Sequence, residues 1–207
     1  MHNGHVREGA IGREAQRRQT RARVLDAAIA EFQRSGTDSA DIKAIVDAAG
    51  VSRSTFYFHF PTKEHVLLEL IRQDEARLAQ ELSRFLDTPH DLPAVLEETV
   101  SRVLALEKHW GARLFREVIG LYFSPTRPGE EEEQWGQHPT FVLLAAEIER
   151  ARHRGELYDD VDCYDSAAFF LIGVHALLIS DSYPGPKRDA VLQKFVKSTL
   201  RSVQKPG

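Results

Sequence analysis

The sequence predicts an all-α protein of about nine helices, in which a small N-terminal domain precedes a larger C-terminal one. Apolar residues recur at intervals of three and four along most of the chain, which is the spacing of a helix with one buried face. Val-rich alternating segments, which are typical of strands, are absent. The predicted organisation is a disordered arm at residues 1–12, a first domain at 13–61 and a second domain at 62–207.

The composition indicates a globular protein. The chain has 207 residues, of which 42% are hydrophobic, and no apolar run reaches the ~18–20 residues that a membrane span requires. The N-terminus is rich in Arg and Gly and lacks the apolar core of a secretory signal. Cys163 is the only cysteine, which excludes disulfides within the chain and zinc sites built from several cysteines. We therefore expect a cytoplasmic protein without a membrane segment, bound metal or other cofactor.

Charge is distributed unevenly along the chain. The net charge is −4, but residues 1–25 contain six Arg and two Glu, a balance of +4. Residues 61–207 contain 18 basic and 24 acidic residues, a balance of −6. A polyanionic partner would therefore meet the N-terminal end. A basic tail that only solubilises the protein is an equally good interpretation of this feature alone.

Three helices are predicted in the first domain. A helix at 13–35 ends at Gly36, and a shorter helix follows a run of potential N-cap side chains. Gly50 suits the left-handed conformation that ends this second helix. Ser52 can cap the third helix, which Pro61 ends. The apolar residues expected to face this core are Leu25, Ala28, Ile29, Phe32, Ile42, Ile45, Val46 and Ala49.

The third helix carries a high density of aromatic rings, in the stretch GVSRSTFYFHF at residues 50–60. We expect Val51, Phe56 and Phe60 to anchor this helix to the two helices that precede it, with Phe58 partly buried at the edge. The other side chains of this short helix would then face away from the core.

The second domain is predicted to begin with a long helix at 62–88, which Thr62 can cap. Pro, Gly and four consecutive Glu indicate a solvated loop at 124–137. The remaining helices are predicted at about residues 91–106, 110–123, 138–152, 162–182 and 187–203.

Two short helices joined by a tight glycine-containing turn, with a third helix packed against them, form a helix-turn-helix arrangement. The turn here is Gly50-Val51, and the second helix of the motif follows Ser52. In such motifs the N-terminal residues of the second helix lie at base edges in the major groove of DNA. Those residues are Arg53, Ser54 and Thr55, whose guanidinium and hydroxyl groups suit bases and phosphates.

A further set of residues extends from the first helix to the start of the fourth. Its members are Leu25-Asp26-Ala27-Ala28, Phe32, Gly36, Ile45, Ala48-Ala49-Gly50-Val51-Ser52, Thr55, Tyr57, His59-Phe60 and Lys63-Glu64. In residue type and spacing, this set resembles the DNA-binding domain of the tetracycline-repressor (TetR) family over about residues 20–70. The rest of the chain resembles the family only in its pattern of helices.

The resemblance implies which residues contact DNA. The predicted contacts are Arg53, Ser54, Thr55, Tyr57, His59, Lys63, Arg21 and Ser39. The first three would lie near base edges or phosphates, and the others would reach the DNA backbone. The sequence departs from the family pattern at Ala40, where a hydroxyl is usual, and at Phe58, where Tyr is frequent. One phosphate contact is therefore in doubt at each of these two positions.

For the second domain, the resemblance implies a homodimer interface and a small-molecule site. The last two helices, at about 162–182 and 187–203, would pair with their symmetry mates, so that the dimer binds a palindromic operator. The residues expected at this seam are Ala168, Ile172, Gly173, Ala176, Val191, Phe195 and Leu200.

A small, largely apolar or aromatic effector is expected, because ligand cavities are mostly apolar with few polar groups. The candidate lining residues are Trp110, Phe115, Tyr122, Phe123, Trp135, Phe141, Phe169 and His175. Aromatic residues at helical spacing are equally typical of a core, so the alternative that these rings only fill the core stays open.

Two alternatives belong to other functional classes. An enzyme would need a catalytic motif, and the chain contains no G-x-S-x-G, glycine-rich phosphate loop or H-E-x-x-H sequence. A helical protein that binds a small molecule but not DNA is favoured mildly by the departures at Ala40 and Phe58. The sequence favours a ligand-responsive DNA-binding regulator, with repression as the family's common mode.

Overall fold

The computed structural model describes residues 4–124, 138–180 and 186–205. Within these ranges the chain forms nine α-helices and no β-strand apart from an isolated bridge between Leu157 and Gln204, so the predicted fold class is confirmed. The helices are α1 (Gly4–Ser35), α2 (Ile42–Ala49), α3 (Arg53–His59), α4 (Lys63–Leu86), α5 (Leu92–Trp110), α6 (Ala112–Tyr122), α7 (Pro139–His153), α8 (Cys163–Ile179) and α9 (Pro186–Val203).

The start of α1 differs most from the prediction. The helix begins at Gly4, inside the segment 1–12 for which the sequence indicated a disordered arm. Extending a helix costs much less free energy than nucleating one, and no proline lies within α1 to end it closer to residue 13. Most of the predicted loop at 124–137, including Trp135, lies outside the described residues.

Two compact units make up the chain, Met1–Leu70 and Ile71–Gly207. The division falls within α4 rather than at the domain boundary that we predicted after residue 61. The first turns of α4 belong to the first unit, where Val66 and Leu67 are buried.

The first unit has a continuous core in which Phe32, Phe56 and Phe60 are fully buried. Gly50 ends α2 with φ of 64°, and its backbone N–H donates to carbonyl oxygens of the last turn of that helix. Ser52 then caps α3, because its side chain accepts a hydrogen bond from the backbone N–H of Thr55. Both predicted turn residues are confirmed, and together they fix the direction in which α3 leaves α2.

In the second unit α7 packs against α8, and α5 contacts α6, α7 and α9. Gly173 allows α8 to approach α9 closely, because a Cβ atom at this position would lie 2.2 Å from Cζ of Phe195. The Phe195 ring stacks on Phe170 with 5.7 Å between ring centroids. None of the described helices is long and apolar enough to cross a membrane.

Candidate nucleic-acid interface and ligand cavity

One face of α3 is buried and the other is open. Phe56 is fully buried, whereas Tyr57 and Phe58 expose 43% and 65% of their surface. Arg53 is also exposed, with its guanidinium 5.9 Å from the centroid of the Tyr57 ring. The rings of Tyr57 and Phe56 are perpendicular, with 5.3 Å between their centroids. Buried Phe56 therefore supports the exposed Tyr57 ring.

Three hydroxyl groups gather at the start of α3. Oγ of Ser52 lies 2.8 Å from Oγ of Ser54 and 2.8 Å from Oγ1 of Thr55. These bonds hold the side chains of Ser54 and Thr55 at the first turn, beside exposed Arg53. The structure thus brings together the three residues that the sequence placed at base edges.

Phe58 does not lie partly buried as we expected. Its ring is largely exposed, and the guanidinium of Arg17 lies 5.0 Å from the ring centroid. The helix has only seven residues, and the core on its inner side is already filled by Phe56 and by Phe60, which directly follows the helix. Phe58 therefore faces outward and holds an arginine of α1 beside α3 through a cation–π contact.

Arg21 is engaged within the protein. Its guanidinium donates to the backbone carbonyl of His59 at 2.8 Å and to the carboxylate of Glu69 at 2.7 Å. It also lies 4.2 Å from the centroid of the Phe60 ring. These contacts tie α1 to the end of α3 and to α4, a role that the sequence did not predict.

Lys63 also connects two elements of the first unit through its side chain. Its Nζ donates to the carbonyl oxygens of Thr37 and Asp38 at 2.8 and 2.9 Å. The ammonium group therefore fastens the turn before α2 to the start of α4. Ser39 lies exposed in the same turn.

His59 is held in its neutral form. Desolvation lowers the pKa of its imidazole, and the nearby charges of Arg21 and Arg17 lower it further. In the free protein this lowered pKa favours the neutral imidazole, which can donate one hydrogen bond and accept another.

A mostly apolar cavity lies in the second unit. Its described lining residues are Ile71, Glu75, Leu78, Val103, Leu106, Trp110, Val118, Ile119, Tyr122, His138, Thr140, Phe141, Leu171 and His175. Four of the predicted residues are among them, namely Trp110, Tyr122, Phe141 and His175.

Phe115, Phe123 and Phe169 are not among these lining residues. Phe115 is fully buried in the core and packs against the rings of Trp110 and His175. Phe123 is 38% exposed at the end of α6. Phe169 is 68% exposed, because its neighbours Ala167, Phe170 and Leu171 form the buried face of α8.

Three polar lining residues, Glu75, His138 and Thr140, were missed by sequence reasoning. Glu75 accepts a hydrogen bond from Nδ1 of His138 at 2.9 Å, and Thr140 lies at the start of α7. One signal was present, since Glu75 falls on the same helical stripe as Ile71 and Leu78. A carboxylate on an apolar stripe indicates a polar partner brought by another helix.

His175 presents an acceptor in this cavity. Its Nδ1 lies 2.7 Å from the carbonyl oxygen of Leu171, which can only accept, so Nδ1 carries the proton. Desolvation lowers the pKa of the imidazole. The ring is therefore neutral near pH 7, and its Nε2 is a hydrogen-bond acceptor.

The exposed α3 and its support by α1 and α2 define the first unit as a helix-turn-helix unit of the DNA-binding class. The family model described as "Bacterial regulatory proteins, tetR family" matches residues 24–70. The HTH-type transcriptional regulator UidR of Escherichia coli K12 is 32% identical over 89% of this chain and 92% of its own length. The chain belongs to the tetR family of bacterial regulatory proteins and is a transcriptional regulator.

Solved structures share the fold at low sequence identity. The regulator FadR from Bacillus subtilis, in complex with stearoyl-CoA, has a TM-score of 0.65 at 14% identity, with 86% of this chain and 97% of that chain covered. The ketosteroid transcriptional regulator KstR2 of Mycobacterium tuberculosis has a TM-score of 0.59 at 18% identity, with 90% and 95% covered. These likenesses support the all-helical architecture of the chain.

Proposed function

We propose that the protein is a repressor that binds a palindromic operator as a homodimer and is released by a small, largely apolar effector. The observation that carries this proposal is the exposed face of α3, which presents Arg53, Tyr57 and a hydroxyl cluster from a helix anchored by Phe56. A rigid helix with polar side chains on its free face can enter the major groove without rearrangement.

Arg17 joins this interface as a phosphate contact. Phe58 holds its guanidinium at the edge of α3, so a phosphate beside the groove would meet a charge that is already positioned. Arg21 and Lys63 support the interface from behind, since their charged groups bind carbonyl and carboxylate oxygens of the protein. Direct phosphate contacts by these two residues stay a prediction.

The short length of α3 supports the proposal that two copies of the chain bind together. A recognition helix of seven residues reads few base pairs, and two such helices one turn of DNA apart (about 34–36 Å) read a palindrome. Phe169 and Ile172 expose 68% and 41% of their surface on α8, and Ala176 continues this exposed face. We propose that the same face of a second copy covers these residues.

The effector would bind in the cavity of the second unit. The central space that water-sized molecules can enter is about 70 Å³, which is room for only a few water molecules. A larger ligand must displace lining side chains of the helices around it, and so it would favour a different helix arrangement. FadR was solved with stearoyl-CoA and KstR2 is named a ketosteroid regulator. The acyl chain of the first molecule and a steroid skeleton are apolar groups, and the apolar lining of this cavity suits groups of this class.

A binding experiment with one matched pair of variants tests the proposal. Tyr57→Ala should weaken binding to DNA that flanks the protein's own gene, while the dimer persists in sedimentation. Tyr158 is exposed to a similar extent, 40% against 43%, but lies in the second unit. Tyr158→Ala should therefore leave DNA affinity unchanged. Equal affinities for both variants, or dissociation of the Tyr57→Ala dimer, would contradict this account of α3.

A further inference from the structure

The N-terminal end of α7 opens into the ligand cavity. His138, Thr140 and Phe141, which form its cap and first turn, are all lining residues. The first backbone N–H groups of a helix have no partner within the helix, and here the side chain of N-cap His138 accepts none of them. A helix start of this kind attracts an electron-rich atom that lies close to its N–H groups.

A second observation at the same place is independent of the helix end. Thr140 is 6% exposed, and its Oγ1 has no hydrogen-bond partner in the part of the chain that the structure describes. A buried hydroxyl without a partner destabilises a fold, and valine would fill the same volume without this penalty. Thr99 shows the usual arrangement, since it is fully buried and its Oγ1 donates to the carbonyl oxygen of Val95 at 2.8 Å.

The charges around the cavity indicate which kind of ligand atom would bind beside Thr140. Glu75 carries the carboxylate among the lining residues and binds His138, while the proton on Nδ1 of His175 is used by Leu171. A ligand carboxylate would lose its hydration in an apolar cavity and face the charge of Glu75. An uncharged acceptor oxygen could accept hydrogen bonds from the Thr140 hydroxyl and from the backbone N–H groups at the start of α7. It would not lose the hydration of a charge, and Glu75 would not repel it as a charge.

We propose that the effector carries a carbonyl oxygen, uncharged and set in an otherwise apolar molecule, which accepts a hydrogen bond from Oγ1 of Thr140 at the N-terminal end of α7. This inference rests on the proposed function, because it names the chemical class that the effector site recognises. A ketone, ester, amide or thioester group supplies the required oxygen.

Three probes of similar size test this on the full-length protein: acetophenone, ethylbenzene, which replaces the carbonyl with CH₂, and benzoate, which carries a negative charge. Dissociation constants are measured by calorimetry or ligand-observed NMR. Acetophenone should bind about fivefold more tightly than ethylbenzene, the gain expected for one hydrogen bond, and benzoate should bind most weakly. Equal binding of the first two probes, no binding of either, or tightest binding of benzoate would overturn the proposal.

Variants at two buried threonines locate the hydrogen bond. Thr140→Val should abolish the preference for acetophenone without weakening ethylbenzene binding, and Thr140→Ser should retain the preference. Thr99→Val, in which a satisfied hydroxyl outside the cavity lining is removed, should leave the preference unchanged. The carbonyl stretch of bound acetophenone should lie at lower frequency in the wild type than in Thr140→Val, a shift that a purely structural role would not produce.

DNA affinity measured on the same samples separates this inference from the proposed function. If other compounds release the DNA but Thr140→Val keeps the wild-type probe preference, the proposed carbonyl site is wrong, whereas the proposed regulatory function is still supported. If the preference depends on Thr140 but no DNA is bound, the site stands and the proposed function fails.

Discussion

The close crossing of α8 and α9 predicts a large penalty for adding one methyl group. In Gly173→Ala the new Cβ would lie 2.2 Å from Cζ and 2.9 Å from Cε2 of Phe195, so the ring must move. Its movement disrupts the stack with Phe170, worth about 0.5–1.5 kcal/mol, and over-packing adds about 1–3 kcal/mol. Gly120→Ala is the matched control, because Gly120 also lies within a helix and nothing lies within 4 Å of its added Cβ.

Alanine at either site gains up to about 1 kcal/mol from helix propensity, so this term largely cancels between the two variants. We therefore expect Gly173→Ala to be less stable than Gly120→Ala by about 2–4 kcal/mol in urea denaturation. Because the crossing of α8 and α9 positions the exposed face of α8 that we propose a second copy covers, the first variant should dimerise more weakly in sedimentation. Equal stability of the two variants would refute the close crossing of the helices.

Three further predictions concern charged and titratable groups. Arg21→Ala removes a salt-bridge partner of buried Glu69 and should lower the unfolding free energy by about 2 kcal/mol; an unchanged urea midpoint would argue against this link. The pKa of His175 is lowered in the folded protein, so the unfolded chain takes up more protons as pH falls through about 6.5, and stability decreases. The decrease measured in urea should be smaller in His175→Gln, and an equal decrease would contradict the assignment. Desolvation and the hydrogen bond to Glu149 raise the pKa of Cys163 to about 11. Iodoacetamide should therefore modify this thiol much more slowly than free cysteine at about pH 8, and Glu149→Gln should accelerate the reaction; a rate equal to that of free cysteine would exclude this protection.

Local signals explain why the helix-turn-helix unit was predictable. Gly50 and Ser52 act on their immediate neighbours, through a left-handed cap and a side-chain bond to Thr55. Phe56 and Phe60 are buried as the helical spacing indicated. Each of these outcomes depends on residues only a few positions apart, which is the range over which sequence patterns are informative.

The contacts that the sequence did not predict join residues that are far apart along the chain. Nothing near Lys63 in the sequence indicates that its ammonium group binds the carbonyl oxygens of Thr37 and Asp38. The Arg17–Phe58 contact likewise joins α1 to α3. Such pairs depend on how the helices pack, which the residues of one helix do not specify.

The cavity was predictable in part from local sequence patterns, and in part it depends on how the helices pack. Its aromatic residues could be proposed from type and region, but whether a ring faces the cavity depends on the rotation of its helix. Phe170 is buried while adjacent Phe169 lies 68% exposed. The meeting of Glu75 with His138 and Thr140 was not predictable, because Glu75 comes from α4 whereas the other two come from the start of α7.

The central claim, that this chain binds DNA selectively through α3 and the adjacent arginine of α1, is tested most directly by the salt dependence of binding. Wild-type protein should bind DNA that flanks its own gene, or sites from a genome-wide selection, with a steep decrease in affinity as salt rises. Arg17→Ala should reduce the magnitude of the logarithmic slope by about two per dimer, one phosphate contact for each subunit. Lys108→Ala removes the same charge from an exposed position of α5 and should leave the slope unchanged. The absence of salt-sensitive, sequence-selective binding in both DNA sets would contradict the regulator account.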